Sequence, residues 1–383
     1  MSRLALLFYV LMMLLLAGAT VLERLNGAEW IAENVYQSWW FAGLWAVLVA
    51  VGVCGILKSS VLRKSVGGLI LHIAMILILS GAFLTKTTGL QGFVHLRAGE
   101  ESGECSVHLP FNIKLEKFEI TTYEGTDAPS DYISHVLISD EAGTKRGVVS
   151  MNNVFSHKKY ILYQSSFDDD GLGSWFSVNY DPYGIPVTYA GYVLLLVGFL
   201  WVLLCRCPKT TIAVVVVYAV IAILFTMRKE ARAAEELLLP VLRSPLIGWH
   251  VAAFIVGYTL LALMSLISVC ALCVKRESAL RRKLTEANRL LLYPSEMLLA
   301  IGIFVGAIWA NLSWGRYWAW DPKEVWALIT MMGYALPLHA VSLKWFRNDT
   351  FFHVFMIVAI LLALMTYFGV NMILGGIHSY GAD

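Results

Sequence analysis

Long apolar runs broken by short polar stretches dominate the chain. Runs at about 4–22, 38–57, 67–85, 187–204, 210–227, 249–274, 295–312, 325–343 and 352–374 each reach the roughly 17–25 residues that cross the hydrocarbon core of a bilayer. They predict nine transmembrane helices. The first run, with Arg3 before it and Ala17-Gly18-Ala19 near its end, has a cleaved signal peptide as its alternative. The uncleaved span is preferred, and the sidedness of everything downstream is the same. One long interval, 86–186, breaks the rhythm. Its segments EKFEITTY, YISHVLIS and KKYILYQSSF are rich in β-branched and aromatic residues with partial alternation, and turn clusters separate them. The expected fold class is an all-α polytopic membrane bundle of about nine transmembrane helices with one small β-rich extracytoplasmic domain.

Charge orients this bundle. Segments on the amino-terminal side of the membrane carry 14 Lys and Arg, against 7 in the short loops opposite. The positive-inside rule therefore places the amino terminus, 58–65, 206–209, 275–294 and 344–351 inside. The insert 86–186, the connecting segment 228–248, the loop 313–324 and the carboxyl terminus fall outside. The expected organisation is 1–85, three helices; 86–186, the β-rich domain; 187–227, two helices; 228–248, an outer connection; and 249–383, a second helical domain. Within the connection, RKEARAAEELLLPVL reads as an amphipathic surface helix.

Composition agrees: of 383 residues 58% are hydrophobic and 15% charged, well under the roughly 25% charge of soluble domains. A net charge of +2 lacks the basic excess of a nucleic-acid binder, so the expected surroundings are the lipid bilayer and no nucleic acid. Six cysteines at 54, 105, 205, 207, 270 and 273 form no disulfide framework. Cys270 and Cys273 are a CxxC at the inner end of a span and read as packing residues, as do Cys205 and Cys207. Cys105 reads as a lone thiol.

Polar residues at bilayer depth carry the chemistry, since lipid makes them costly. His72 lies eight residues beyond Lys64, about 12 Å deep, and His339 five residues before Lys344, about 7.5 Å deep. Each alone is as well explained by helix packing. Their matching depth on two spans favours a shared ligand. His250 and His378 make a second pair at the outer boundary. Level with them runs WANLSWGRYWAWDPKEVWALI, residues 309–329, in which Trp309, Trp314, Trp318, Trp320 and Trp326 fall within 18 residues. An interfacial aromatic belt would scatter such residues over many helix ends; here they are dense and mixed with Arg316, Asp321, Lys323 and Glu324. Flat aromatic faces with nearby cations suit a large planar anion, and histidines on either side of its plane would ligate its iron. Haem fits. Arg316 or Lys323 would pair a haem propionate or a lipid headgroup, and Asp321 doubles as a helix cap with Glu324 in the first turn. His95, His108, His135 and His157 lie in the β-rich domain without a ligand-like cluster, and His353 reads as a headgroup contact at an inner helix start.

WGRYWAWDPKEVWALI resembles the WWD signature, WGxxWxWDxKE, of haem-handling proteins in cytochrome c maturation. With LPLHA and GIHSYG downstream it is most similar to the CcsA (ResC) subunit of the System II cytochrome c synthase. ATVLERLNGAEWIAENVYQSWWF, GGLILHIAMILILSGAF and YILYQSSF…VNYDPYG resemble its partner CcsB (ResB), so the whole chain resembles a fused CcsB–CcsA. The resemblance implies that His72 and His339 ligate haem within the membrane and that His250 and His378 ligate it at the outer site. It implies that Trp314, Gly315, Trp318, Trp320 and Asp321 bind the haem presented to apocytochrome c, with Arg316 and Trp326 beside them. The implied activity is that of a holocytochrome c synthase of the haem lyase type, in a bacterial plasma membrane with its active site on the periplasmic face. Haem b would be exported and joined by thioether bonds to the CxxCH motif of apocytochrome c, kept reduced by a thioredoxin-like thiol reductant. Two features depart from the family. The outer domain is short, and Met331 and Met332 follow WALI where some relatives add aromatics. Three other classes stay open: a b-type haem electron-transfer subunit, a haem exporter without synthase activity, and a secondary transporter, which would show broken helices and repeats.

Overall fold

The structure, a computed structural model, describes residues 3–100, 104–232 and 240–376. His378 and most of the acidic stretch 230–236 lie outside these. The front half contains α1 (Arg3–Asn26), the short α2 (Ala28–Ile31) leading into a π-turn Ala32–Tyr36, α3 (Trp39–Lys58), the short α4 (Ser60–Lys64) and α5 (Val66–Thr88). Eight strands follow, and then α6 (Gly184–Arg206) and α7 (Pro208–Arg232). The back half contains α8 (Pro245–Cys273), α9 (Ala279–Trp314), α10 (Pro322–Ala335) and α11 (Asp349–Leu364), the last continued by a π-helical stretch Met365–Leu374.

Among the described residues eight helices are long and apolar enough to cross a membrane: α1, α3, α5, α6, α7, α8, α9, and α11 with its π extension. The ninth apolar run is built differently. α10 has 14 residues and passes into a 3-10 turn, Leu336–His339, because Pro337 lacks the N–H that an α-helix would need there. The two pieces together rise about 29 Å, nearly a bilayer's thickness, but α10 alone is too short. The expected inner segment 275–294 is not a loop after Ala279 either. It is the first part of α9, whose 36 residues extend about 54 Å and project beyond the membrane on the basic face of the bundle.

Small residues set the helix contacts. Gly184, Gly191 and Gly198 fall on one stripe of α6 and meet α5. A Cβ on Gly191 would lie 2.7 Å from Ile78 Cγ1, and one on Gly198 2.9 Å from Leu71 Cδ2. Glycine permits this backbone approach, and the contact fixes the rotation of α5, on which His72 follows Leu71.

The strands are β1 (Leu90–Arg97), β2 (Glu104–Cys105), β3 (Asn112–Thr122), β4 (Pro129–Asp140), β5 (Gly143–Ser150), β6 (Phe155–His157), β7 (Tyr160–Phe167) and β8 (Gly173–Tyr180). They form a five-stranded antiparallel sheet, β2-β1-β8-β7-β6, and a three-stranded one, β3-β4-β5. Alternate residues such as Val94, Leu115, Val136, Val149, Phe176 and Val178 point inward to a shared core and are fully buried. Between the sheets a polar knot, Ser134–Gln164–Ser174, is closed by mutual hydrogen bonds of 2.7–2.8 Å. The domain sits at the end of the bundle reached by α5 and α6, which we call the β side.

His353 differs from expectation. It is fully buried between α8, α9 and α11, its ring nitrogens 3.1 Å from Ser268 Oγ and 2.9 Å from Thr285 Oγ1. It reaches no headgroup, because a buried imidazole with two hydroxyl partners ties three helices together at no unpaired cost. All six cysteines are free, and only Cys207 is buried.

Candidate functional site

The structure brings His72 and His339 together. Their ring centroids are 5.8 Å apart with planes at 79°. Each is oriented by its own turn: Nδ1–H of His72 donates to Gly68 O (2.7 Å), and Nδ1–H of His339 to Ala335 O (2.9 Å). A carbonyl oxygen accepts only, so both neutral rings carry their proton on Nδ1 and keep Nε2 as a lone-pair donor. Two imidazoles sharing one metal at bonds of about 2 Å place their centroids on the order of 6 Å apart. The pair is half-buried, His72 near the start of α5 and His339 closing the 3-10 turn.

His250 lies near the β-side end of α8. Its Nδ1–H donates 2.8 Å to Gly302 O of α9, and the ring occupies the groove left by Gly306, where a Cβ would lie 2.5 Å from Nδ1. Phe254, one turn on, covers it edge-to-face at 5.1 Å. His378 is outside the described residues. Gly376, two residues earlier, abuts Asp321 and Pro322.

The tryptophan-rich loop begins where α9 ends. Trp314 is the last helical residue. Gly315 takes the left-handed conformation (φ +80°), its N–H returning to Asn311 O, a common helix-ending device. Asp321 caps α10 through Lys323 N (3.1 Å), Pro322 occupies the first turn, and Glu324 reaches back to Ala319 N (2.9 Å), a variant of the capping box. Trp320 between them has φ +61°, a strained state for a bulky residue. Stacking on Tyr36 at 5.0 Å and edge contact with Phe41 hold it there.

The tryptophans divide. Trp309 and Trp314 meet edge-to-face at 4.8 Å, Trp318 abuts Trp320 at 5.7 Å, and the buried indole N–H groups of Trp309 and Trp318 have no hydrogen-bond partner among the described residues. Trp320 and Trp326 turn instead to the front half. Trp326 Nε1 donates 3.1 Å to Thr20 Oγ1 of α1 and its ring lies against the α1–α3 apolar cluster, while Trp320 packs on Tyr36, Phe41 and Trp45. Arg316 is exposed. Lys323 Nζ donates 2.8 Å to Asn371 in the π stretch. Burial lowers the affinity of this ammonium for its proton, and Asp321 opposes that.

A set of contacts absent from the sequence reading docks the loop on the β domain and on the adjoining ends of α5 and α6. Asn179 Nδ2 of β8 donates to Gly315 O at 2.6 Å, and the Tyr163 ring of β7 lies flush on Gly315. Ser313 Oγ donates to Asn152 Oδ1 (2.7 Å), Asn311 Nδ2 to Tyr189 OH (3.0 Å), and Tyr317 OH to Thr85 Oγ1 (2.9 Å), itself bonded to Asp181 (2.5 Å). Burial pushes the Tyr163 and Tyr317 phenols above their usual range. On the opposite flank burial first, and then Glu23, Asp321 and Glu324, push up the Tyr36 phenol. These partners are separated by up to 300 residues, and no local pattern signals them.

A polytopic bundle with a histidine pair inside it and a tryptophan-rich loop clamped by a β domain defines the class. Residues 58–179 match the ResB-like family, and residues 187–378, half of the chain, match the family described as cytochrome C assembly protein. The chain belongs to the cytochrome c assembly protein family, and it joins a CcsB-like front half to a CcsA-like back half in one polypeptide. It is 49% identical over 98 residues to Protein NrfI of Wolinella succinogenes, covering 26% of this chain and 11% of that protein. It is 34% identical over 165 residues to cytochrome c biogenesis protein CcsA of Chlamydomonas reinhardtii (41% and 46%). It is 32% identical over 211 residues to CcsA of Synechococcus elongatus (41% and 64%). The chain thus spans less than two thirds of each of these relatives.

Proposed function

We propose that this protein moves haem b from the basic face of a bacterial plasma membrane to the periplasmic β side and attaches it there to apocytochrome c. His72 and His339 receive haem within the membrane; His250 and His378 hold it at the β side. Trp314, Gly315, Trp318, Trp320 and Asp321, with Arg316 and Trp326, form the platform that presents it to the CxxCH motif. The two thiols add across the haem vinyl groups as thioethers, so the motif must arrive reduced, and a thioredoxin-like thiol reductant is the partner that supplies it. Proximity and orientation at the platform account for most of the rate. This is the activity of a holocytochrome c synthase.

The observation that carries the reading is the 5.8 Å His72–His339 pair with both Nδ1–H groups already engaged, an arrangement that leaves both Nε2 atoms available to one iron. The unpartnered indole N–H groups of Trp309 and Trp318 fit the same cargo, since propionate oxygens would satisfy them. A b-type electron-transfer subunit would use the same histidine pair, and an exporter would stop short of attachment. Co-production with an apocytochrome c in cells lacking other maturation machinery separates the three. Covalent cytochrome is expected, and His72→Ala or His339→Ala should abolish it together with the paired-histidine haem spectrum. Haem retained without any covalent product would refute synthase activity.

A further inference from the structure

On the β side the two halves of the chain meet around a second polar group, beside Trp320. Thr20 and Glu23 lie one turn apart near the end of α1. Because Thr20 holds Trp326, Glu23 comes level with the start of α10 and faces Asp321. Tyr36 completes the group. Its ring stacks on Trp320 with planes 7° apart, its side chain is 7% exposed, and its phenol lies within electrostatic reach of Glu23, Asp321 and Glu324. Among the described residues the Tyr36 hydroxyl has no hydrogen-bond partner, and neither has the buried Oε2 of Glu23. Leaving such groups unpaired is costly. They lie near enough to interact without being bonded to each other. Lys323, which interacts electrostatically with Asp321, donates from Nζ to Asn371.

We propose that Glu23, set opposite Asp321 and under Tyr36, is the proton-carrying carboxyl for addition of a cysteine thiol to a haem vinyl group. The inference rests on the synthase reading above. In that addition a carbon–sulfur bond forms at the inner vinyl carbon, the double bond becomes single, and the terminal carbon gains a hydrogen. The thiol loses its proton, so no proton or electron is gained or lost overall. A carboxyl that gives its proton to the terminal carbon and then takes the one the thiol releases closes the cycle. A carboxyl placed beside a second carboxyl is the kind of group that holds a proton for transfer. The Tyr36 O–H, once it donates to the carboxylate formed, steadies it.

The test uses the purified, haem-loaded full chain and a reduced CxxCH peptide, reading the initial rate of thioether formation beside haem content and spectrum. Glu23→Gln is expected to keep wild-type haem content and spectrum while its rate falls about a hundredfold, the lower range of general acid–base contributions. Glu23→Asp, which keeps the ionisable group, should stay within about tenfold of wild type, and Tyr36→Phe should fall between the two. Glu23→Gln at the wild-type rate overturns the proposal, as does a loss of haem in proportion to the loss of rate, which marks a structural role. A wild-type chain that loads haem and forms no thioether overturns the synthase reading instead, and this inference with it.

Discussion

Gly315 is where a single added methyl group should separate the tryptophan platform from the domain that holds it. The residue sits at φ +80°, where a non-glycine residue pays about 1–2 kcal/mol. A Cβ there would lie 2.7 and 2.8 Å from two Tyr163 ring carbons, an overlap of the kind that costs about 1–3 kcal/mol. Gly315→Ala should therefore disfavour the docked loop by roughly 2–5 kcal/mol, or about 30- to 4,000-fold in its docked-to-undocked ratio. The bond from Asn179 to Gly315 O would be lost with it. Covalent haem on a CxxCH reporter, measured per mole of synthase, should drop accordingly, while the haem spectrum of the His72–His339 pair stays. A cycle with Tyr163→Leu isolates the steric part: the double variant should recover about 1–3 kcal/mol of the loss and leave the backbone part. Wild-type product from Gly315→Ala, or a coupling below the roughly 0.5 kcal/mol scatter of independent sites, would refute the docking argument.

Trp326→Phe removes the indole donor to Thr20 and should cost about 1 kcal/mol, seen as a melting temperature lower by about 2 °C. Gly191→Leu should push α5 from α6, since even a Cβ meets Ile78 at 2.7 Å. The expected readout is loss of the paired-histidine spectrum, with Gly191→Ala milder. In the β domain, hydrogen bonds from Lys158, then His157, then the Ala142 N–H hold the Asp140 carboxyl down at about 2, against 3.8. Because the folded value lies below the unfolded one, this stabilisation is full above about pH 4 and fades as pH falls toward 2. Melting curves against pH should show that step in the wild type and lack it in Asp140→Asn.

What the sequence makes legible is what has a period or a depth. Apolar run lengths delimit eight spanning helices, and alternation marks β3, β4 and β7. Counting residues from Lys64 and Lys344 puts His72 and His339 at one level, where the structure has them 5.8 Å apart. The ninth run reads as one more ordinary span because hydropathy is blind to the α-to-3-10 change that Pro337 imposes. His353 reads as interfacial because its two hydroxyl partners lie on other helices. The tryptophans look alike in a linear segment. Only tertiary contact separates Trp318, packed toward the back half, from Trp320 and Trp326, committed to α1, α3 and Tyr36. The clamp of Tyr163, Asn179 and Asn152 on the loop has no signature at all, since each bond joins residues more than a hundred positions apart.

The bonds that dock the loop on the front half, Asn179–Gly315, Asn152–Ser313, Thr85–Tyr317 and Thr20–Trp326, are few and small. Two separate polypeptides relying on them would have to find each other by diffusion in the membrane. On one chain, each half meets the other at an effective concentration on the order of millimolar. An interface of only about −5 kcal/mol, weaker than most stable complexes, would then remain mostly closed. Such a joint can open and reclose without the parts separating. Cutting the chain in the segment 233–239 should convert that margin into a dependence on expression level.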